Sequence, residues 1–105
     1  NYAGAHLNLG VLLVDQGKTE EAIVHYTEAL KALPEYAEAH YNLGICLAKQ
    51  GKTQEAAAQY LEAIRFKPDF WRAYFNLADL LAKEGRTALR QSSMSLRASA
   101  HRLAR

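Results

Sequence analysis

The sequence repeats itself with a fixed period, and this repetition constrains the fold more than any other feature. Two blocks, residues 3–36 and 37–70, are identical at 17 of their 34 positions. A third block begins at Trp71 and follows the same pattern as far as Thr87. A fixed period of about 20–50 residues is typical of proteins that stack one supersecondary unit on the next. We therefore expect a stacked repeat architecture.

Each complete block reads as two helices joined by a short turn. In the first block, apolar and small residues recur at i, i+3, i+4 and i+7 from His6 to Leu13, which is one helical stripe. Gly17 can adopt the left-handed conformation that ends a helix, and Thr19 is placed to cap the next one. Pro34 closes the block, because the residue before a proline resists helical geometry. The sequence predicts five helices within residues 5–84, with turns at Gly17, Pro34, Gly51, Pro68 and Gly85.

The recurring positions resemble a known repeat family. Across one block a bulky residue is followed by Leu-Gly, a large residue, Ala, Tyr, Ala and Pro, which in the first block are His6, Leu9, Gly10, Leu13, Ala22, Tyr26, Ala29 and Pro34. The second block matches at His40, Leu43, Gly44, Leu47, Ala56, Tyr60, Ala63 and Pro68, and the third at Tyr74, Leu77, Ala78 and Leu81. Over residues 3–87 the pattern resembles the tetratricopeptide repeat (TPR) family. The resemblance implies an all-α, right-handed superhelical stack of antiparallel helix pairs, an α-solenoid that acts as a protein-interaction scaffold.

Composition divides the chain near residue 85. Residues 1–85, the expected TPR array, hold eight Lys/Arg and eleven Asp/Glu, with repeat 1 at about 3–36, repeat 2 at about 37–70 and the first helix of repeat 3 at about 71–84. Residues 86–105 hold five arginines and no acid, and Leu89, Leu96 and Leu103 fall seven apart, as on one helical stripe. We expect a terminal helix there, which either caps the stack or is not native to the repeat protein. Asn1 and Tyr2 correspond to the end of a block, so we also expect chain before them.

One face of the first helix in each block is more apolar than a surface helix requires. In the family this side lines a concave groove, and an exposed apolar strip framed by polar residues usually marks a binding surface. The alternative is that these side chains are covered by a neighbouring repeat or by a second copy. The predicted groove residues are Leu7, Asn8, Val11, Tyr41, Asn42, Ile45, Arg72, Phe75 and Asn76.

Three asparagines, Asn8, Asn42 and Asn76, occupy the same position in successive blocks on that face. A side-chain amide both donates and accepts hydrogen bonds, so a row of them can hold the main chain of an extended peptide. The row resembles the asparagine ladder in the repeats of O-linked N-acetylglucosamine transferases, although asparagine can also serve helix packing. The carboxylate clamp of chaperone-binding members is not expected, because Leu7 and Val11 stand where it requires lysine and asparagine.

No arrangement typical of an enzyme or a cofactor site is present. The two QGKT turns lack the first glycine of a phosphate-binding loop. His6 and His40 lie in adjacent blocks rather than one turn apart, so we expect packing roles and no metal. Cys46 is the only cysteine, which excludes a disulfide within the chain, and no run of about 18 apolar residues predicts a membrane span. We expect no catalysis, cofactor, membrane insertion or nucleic-acid binding, and favour a cytoplasmic location.

The function that these features favour is the binding of a peptide segment of a partner protein in the groove. Two alternatives remain open at this point. The chain is a substrate-selecting repeat fragment of a glycosyltransferase, or it is a self-assembling structural unit. Self-assembly follows from the need of repeat arrays for capped ends, and would use the open repeat ends or the terminal helix to form a homo-oligomer.

Overall fold

The computed structural model describes residues 2–104, and their side chains as far as residue 99. In this range the chain is helical and contains no strand. Five helices follow one another: α1 (Tyr2–Asp15), α2 (Thr19–Ala32), α3 (Ala37–Lys49), α4 (Thr53–Phe66) and α5 (Trp71–Ala104). The all-α prediction is therefore confirmed.

The helices pack in the order in which they occur. Helix α1 pairs with α2 and α3 with α4, while α2 lies against α3 and α4 against α5. Within each pair a glycine on the first helix faces a tyrosine ring on the second, Gly10 with Tyr26 and Gly44 with Tyr60. Both tyrosines are buried together with the alanines of α2 and α4, so small and large side chains interlock. The result is the predicted α-solenoid.

Glycine ends the first helix of both pairs. Gly17 and Gly51 have φ values of +77° and +78°, and no other described residue has a positive φ. After α1, the Gly17 N–H bonds to the Val14 carbonyl (2.9 Å) and the Lys18 N–H to the Leu13 carbonyl (2.8 Å). This pair of bonds is the Schellman motif, which satisfies carbonyl groups that the end of a helix leaves without partners. The predicted turns at these two glycines are present.

Two local predictions are wrong. Thr19 does not cap α2: it is the first helical residue, and the N-cap position is Lys18, which makes no side-chain capping bond. The Schellman turn places Lys18 at the boundary, so the helix begins directly after it. The second error is the turn predicted at Gly85, because α5 runs through that residue to Ala104.

The residues after Gly85 explain why the chain does not turn back. In α4 the inward positions Ala56 and Ala63 are fully buried, and the corresponding residues of the third block are Arg90 and Arg97. Folding back in the same way would bury two guanidinium groups, and burying an unpaired charge is strongly unfavourable. Neither a proline nor a positive φ interrupts the helix, so α5 continues. The domain boundary predicted near residue 85 falls inside this helix and stays a prediction.

Equivalent leucines differ in burial along the stack. Leu43 on α3 is 7% exposed, whereas Leu9, its counterpart one repeat earlier, is 45% exposed. Helix α2 packs against α3, and no described element takes that place beside α1. Leu9, although it is a position of the repeat pattern, is therefore outside the core of the described chain, while the same position in the second repeat is part of the core.

Candidate functional site

Two depressions lie on the side of the stack formed by α1, α3 and α5. The first, between α1 and α3, has a volume of about 140 Å³ and is lined by Val11, Val14, Asp15, Tyr26, Asn42, Ile45 and Cys46. The second, between α3 and α5, has a volume of about 350 Å³ and is lined by Ile45, Ala48, Lys49, Tyr60, Asn76, Asp79, Leu80 and Lys83. Every residue of the first depression has its counterpart, one repeat later, in the second. We call the surface that carries both depressions the groove.

Each depression is lined by one tyrosine from the second helix of a pair. Tyr26 of α2 lines the first depression, and Tyr60 of α4 lines the second. Burial is the main reason that the pKa of Tyr26 and that of Tyr60 are raised to about 12, with smaller contributions from nearby acidic groups. Both phenols are therefore neutral at pH 7. They offer apolar rings, and hydroxyl groups that can donate or accept a hydrogen bond. The sequence analysis identified these two residues only as positions of the repeat pattern.

The two depressions differ in charge although their positions correspond. Among the described residues, Asp15 is the one charged side chain that lines the first depression. The corresponding residue of the second depression is Lys49. Ile45 of the first is replaced by Asp79 in the second, which also contains Lys83. Lys83 Nζ lies 3.0 Å from Asp79 Oδ2, so this pair neutralises itself. The charge that remains is negative in the first depression and positive, at Lys49, in the second.

The three predicted asparagines are not equivalent in their hydrogen bonds. Asn76 Nδ2 donates to the hydroxyl oxygen of Tyr41 at 3.0 Å. Leu7 stands where Tyr41 does, one repeat earlier, and it has no oxygen to accept a bond from Asn42. Within the described part of the chain, the side chains of Asn8 and Asn42 make no hydrogen bond. Asn8 is exposed and Asn42 half-buried, so two amides of the row are available to a ligand.

The predicted apolar strip is only partly exposed. Tyr41 is 9% exposed, with its ring centroid 4.8 Å from that of Phe70 and 6.0 Å from that of Tyr60. The prediction that Tyr41 is exposed in the groove is wrong, because Phe70, just before α5, covers it. Leu7 and Ile45 are half-buried against the core, whereas Val11 and Phe75 are exposed.

Arg72, another predicted groove residue, lies at the start of α5 beside these rings. Its guanidinium carbon lies 5.8 Å from the Tyr41 ring centroid and 5.6 Å from that of Phe70. Such contacts are favourable cation–π interactions and hold the side chain near the groove. Arg72 is itself exposed, so its N–H groups can reach a ligand.

Three polar residues that line the depressions are outside the predicted set of groove residues. Asp15, Lys49 and Asp79 line the depressions, yet the sequence-based set names none of them. They lie four residues after Val11, Ile45 and Phe75, one helical turn further along the same face. That spacing places them on the predicted face in the sequence as well, although they were not chosen as groove residues.

The histidines have contacts within the fold. His40 Nε2 donates to the Pro34 carbonyl at 2.8 Å, and its Nδ1 lies 2.7 Å from Gln59 Oε1. His6 Nδ1 lies 3.0 Å from His25 Nδ1, which also links the two helices of a pair. Among the described residues, no group of three or more His, Cys, Asp or Glu side chains could hold a metal ion. Within residues 2–104, no helix is both long and apolar enough to cross a membrane.

Comparisons with known proteins agree with this architecture. A family profile described as Tetratricopeptide repeat matches residues 7–69, and a second profile with the same description matches residues 59–91. Since the first match covers more than half of the chain, the chain belongs to the tetratricopeptide repeat family. Repeats of this family form scaffolds for protein–protein interaction.

One solved structure shows how far the similarity extends. The crystal structure of MamA protein is 29% identical in sequence and has a TM-score of 0.76. The match covers 79% of this chain and 45% of that one, so the chain spans less than half of the matched structure's length. No curated protein matches the chain. The specific resemblance to repeats of O-linked N-acetylglucosamine transferases stays a prediction.

Proposed function

We propose that the chain is a binding module that holds an extended segment of another protein in the groove. The observation that carries this proposal is the repetition of one depression in successive repeats, with Asn42 and Asn76 at corresponding positions. An extended peptide presents its own groups at a regular spacing. A surface that repeats the same polar group beside an apolar recess is suited to such a ligand.

Main-chain contacts come from Asn8 and Asn42, whose amides have no hydrogen-bond partner within the described chain. Each can donate to a peptide carbonyl and accept from a peptide N–H. Asn76 already donates to Tyr41, so it contributes its oxygen and one remaining N–H. In this arrangement Tyr41 orients Asn76 instead of contacting the ligand.

Side-chain preference follows from the charge of the two depressions. The first is lined mainly by Val11, Val14 and Ile45, so an apolar side chain fits it and a ligand carboxylate would meet Asp15. The second contains Lys49, which has no ion pair among the described residues, so it favours an acidic side chain. The preferred ligand is therefore an extended peptide with an apolar residue for the α1–α3 depression and an acidic residue for the α3–α5 depression.

The test uses fluorescence anisotropy with labelled peptides of equal length in which the apolar and acidic positions are varied. Replacing both Asn8 and Asn42 by Ala should remove about 1–3 kcal/mol of binding free energy, or roughly 5- to 150-fold in Kd, at about 0.5–1.5 kcal/mol for each hydrogen bond. The stability should change less, because Asn8 is exposed, Asn42 is only half-buried, and neither side chain makes a hydrogen bond within the described chain. The matched control is Gln54→Ala, an exposed amide on α4 outside both depressions.

Charge reversal tests the side-chain preference separately. Lys49→Glu should weaken the peptide with an acidic residue and favour the same peptide with lysine in that place. Lys52→Glu, an equal charge change in the turn after α3, should alter neither. Unchanged affinity in the asparagine variant would exclude main-chain recognition by these amides. If Lys49→Glu and Lys52→Glu behave alike, the preference does not arise in the α3–α5 depression.

A further inference from the structure

Helix α5 carries a second exposed surface, which shares only Phe75 with the predicted groove residues. Six large apolar side chains of this helix are exposed. Because successive residues of a helix are rotated by about 100°, all six lie within about 60° of a single line drawn along the helix surface. They are Trp71, Tyr74, Phe75, Leu81, Leu89 and Leu96. We call this surface the α5 stripe. The groove residues Asp79 and Lys83 lie about 100–140° away from it, on another side of the helix.

In the first two repeats, the face that corresponds to the first half of the stripe is covered by another helix. In α1 and α3 the residues corresponding to Tyr74 and Ala78 lie against the second helix of their own pair, as the contacts of His6 and Gly10 with α2 and of His40 and Gly44 with α4 show. Helix α5 has no such partner, because the chain continues straight through Gly85. Tyr74 and Leu81 are 49% and 54% exposed as a result. The missing neighbour is an antiparallel helix.

The second half of α5 has the properties of that neighbour. Every described side chain from Leu81 to residue 99 is exposed, so no other part of the described chain buries this segment. Most of the stability of a helix in a protein comes from packing its apolar face against other elements, and this segment has no such packing within the described chain. Leu89 is 70% and Leu96 is 72% exposed on the stripe side, while Arg90 and Arg97 point away from its centre line.

We propose that a second copy of the chain covers the α5 stripe. The two α5 helices pack antiparallel about a two-fold axis near Gly85, so that the second half of each lies on the first half of the other. This exchange supplies each third repeat with the helix it lacks, and it buries both halves of the stripe at once. An interface of this kind is isologous and closes at two subunits.

The distribution of charge selects the antiparallel arrangement. Residues 86–105 carry five arginines and no acid, whereas residues 1–85 carry eleven acidic and eight basic side chains. Parallel packing would place the two basic segments side by side. Antiparallel packing instead places each basic segment on the first half of the partner's α5, where Arg72 and Lys83 are balanced by Asp79 and Glu84, so the repulsion between like charges is avoided.

Gly85 permits close approach where the two helices cross. A Cβ atom built on this residue meets nothing within 4 Å, so no side chain of the same copy occupies that space. Ala78 and Ser92 flank it on the stripe at equal distances along the helix. In the antiparallel pair Ala78 of one copy therefore faces Ser92 of the other, whereas parallel packing would bring like residues together.

The first experiment is sedimentation equilibrium of the whole chain from about 1 to 200 µM, with far-ultraviolet circular dichroism on the same samples. We expect a monomer–dimer equilibrium, and helicity that rises with dimer content because the second half of α5 gains a partner. The double variant Leu89→Gln with Leu96→Gln should raise the dimer Kd at least tenfold. Met94→Gln, a single apolar-to-glutamine change on the opposite side of the same helix, should alter the Kd less than twofold.

The second experiment determines the orientation by cross-linking. Ala78→Cys and Ser92→Cys proteins are treated with a short bifunctional maleimide, separately and as a mixture. The native chain serves as the control, since its single thiol, Cys46, is buried. We expect cross-linked dimers in the mixture and few in either protein alone. A monomer at 200 µM, a dimer equally stable in the double glutamine variant, or more efficient cross-linking within each single-cysteine protein than in the mixture would overturn the proposal.

Discussion

Replacing Gly44 by Ala tests whether close approach of α3 and α4 holds the second repeat together. A Cβ atom at this position would lie 2.7 Å from Tyr60 Cε1, 2.8 Å from Tyr60 Cδ1 and 3.3 Å from the Ala56 carbonyl oxygen. Carbon atoms in contact normally lie about 3.5–4.0 Å apart, so the helices would have to separate by roughly 1 Å. Tyr60 cannot easily move aside, since it is only 3% exposed.

The expected change in stability is the difference between two opposing effects. Overpacking a core typically costs about 1–3 kcal/mol, while alanine is about 1 kcal/mol more favourable than glycine inside a helix. We expect a net loss of about 1 kcal/mol. With a slope near 1.5 kcal/mol/M, the midpoint of urea unfolding, followed by circular dichroism, should fall by about 0.7 M.

Gly85→Ala is the matched control, because it makes the same change in a helix where no atom lies within 4 Å of the new carbon. In the monomer only the gain in helix propensity applies there, so at protein concentrations below the dimer Kd the stability should stay the same or rise by up to about 1 kcal/mol. A second check combines Gly44→Ala with Tyr60→Leu, which removes the ring that causes the clash. The two changes should then couple favourably by about 1 kcal/mol or more. Equal behaviour of the two glycine variants would refute the role of close packing at Gly44.

Three further predictions concern the core. Leu43→Ala should cost about 2–5 kcal/mol in urea unfolding, whereas Leu9→Ala should cost less than about 1 kcal/mol, because it is already half exposed; similar losses would contradict the difference in burial. Folding raises the pKa of Tyr26 and Tyr60 from 10.0 to about 12, so the stability from burying neutral phenols is present below pH 10 and lost as pH rises from 10 towards 12. Ultraviolet absorbance of phenolate during alkaline titration measures this, and Tyr60→Phe should reduce the pH dependence. Burial raises the pKa of the Cys46 thiol, so a thiol reagent at pH 8 should label it only as fast as the protein unfolds; immediate labelling would show that the α3 core is open.

Local sequence was sufficient for the helices and for most of their turns. Gly17 and Gly51 could be assigned because a left-handed turn strongly favours glycine. The asparagine row was also visible from spacing alone, since positions one full period apart occupy equivalent places in a stack. The helix cap was misplaced by one residue, at Thr19, because the hydrogen bonds of the preceding turn decide where α2 begins.

Other features depend on which elements meet, and only the tertiary structure decided them. Leu9 and Leu43 occupy the same position in the repeat, yet a neighbouring helix covers only Leu43. Tyr41 belongs to the predicted apolar strip but is buried, because Phe70 packs on it from the far end of the same repeat. Gly85 resembles the two turn glycines, but the arginines that follow it cannot take the buried alanine positions, so α5 stays straight. Periodicity specifies the conformation of each segment, whereas burial depends on the side chains that a distant segment brings into contact.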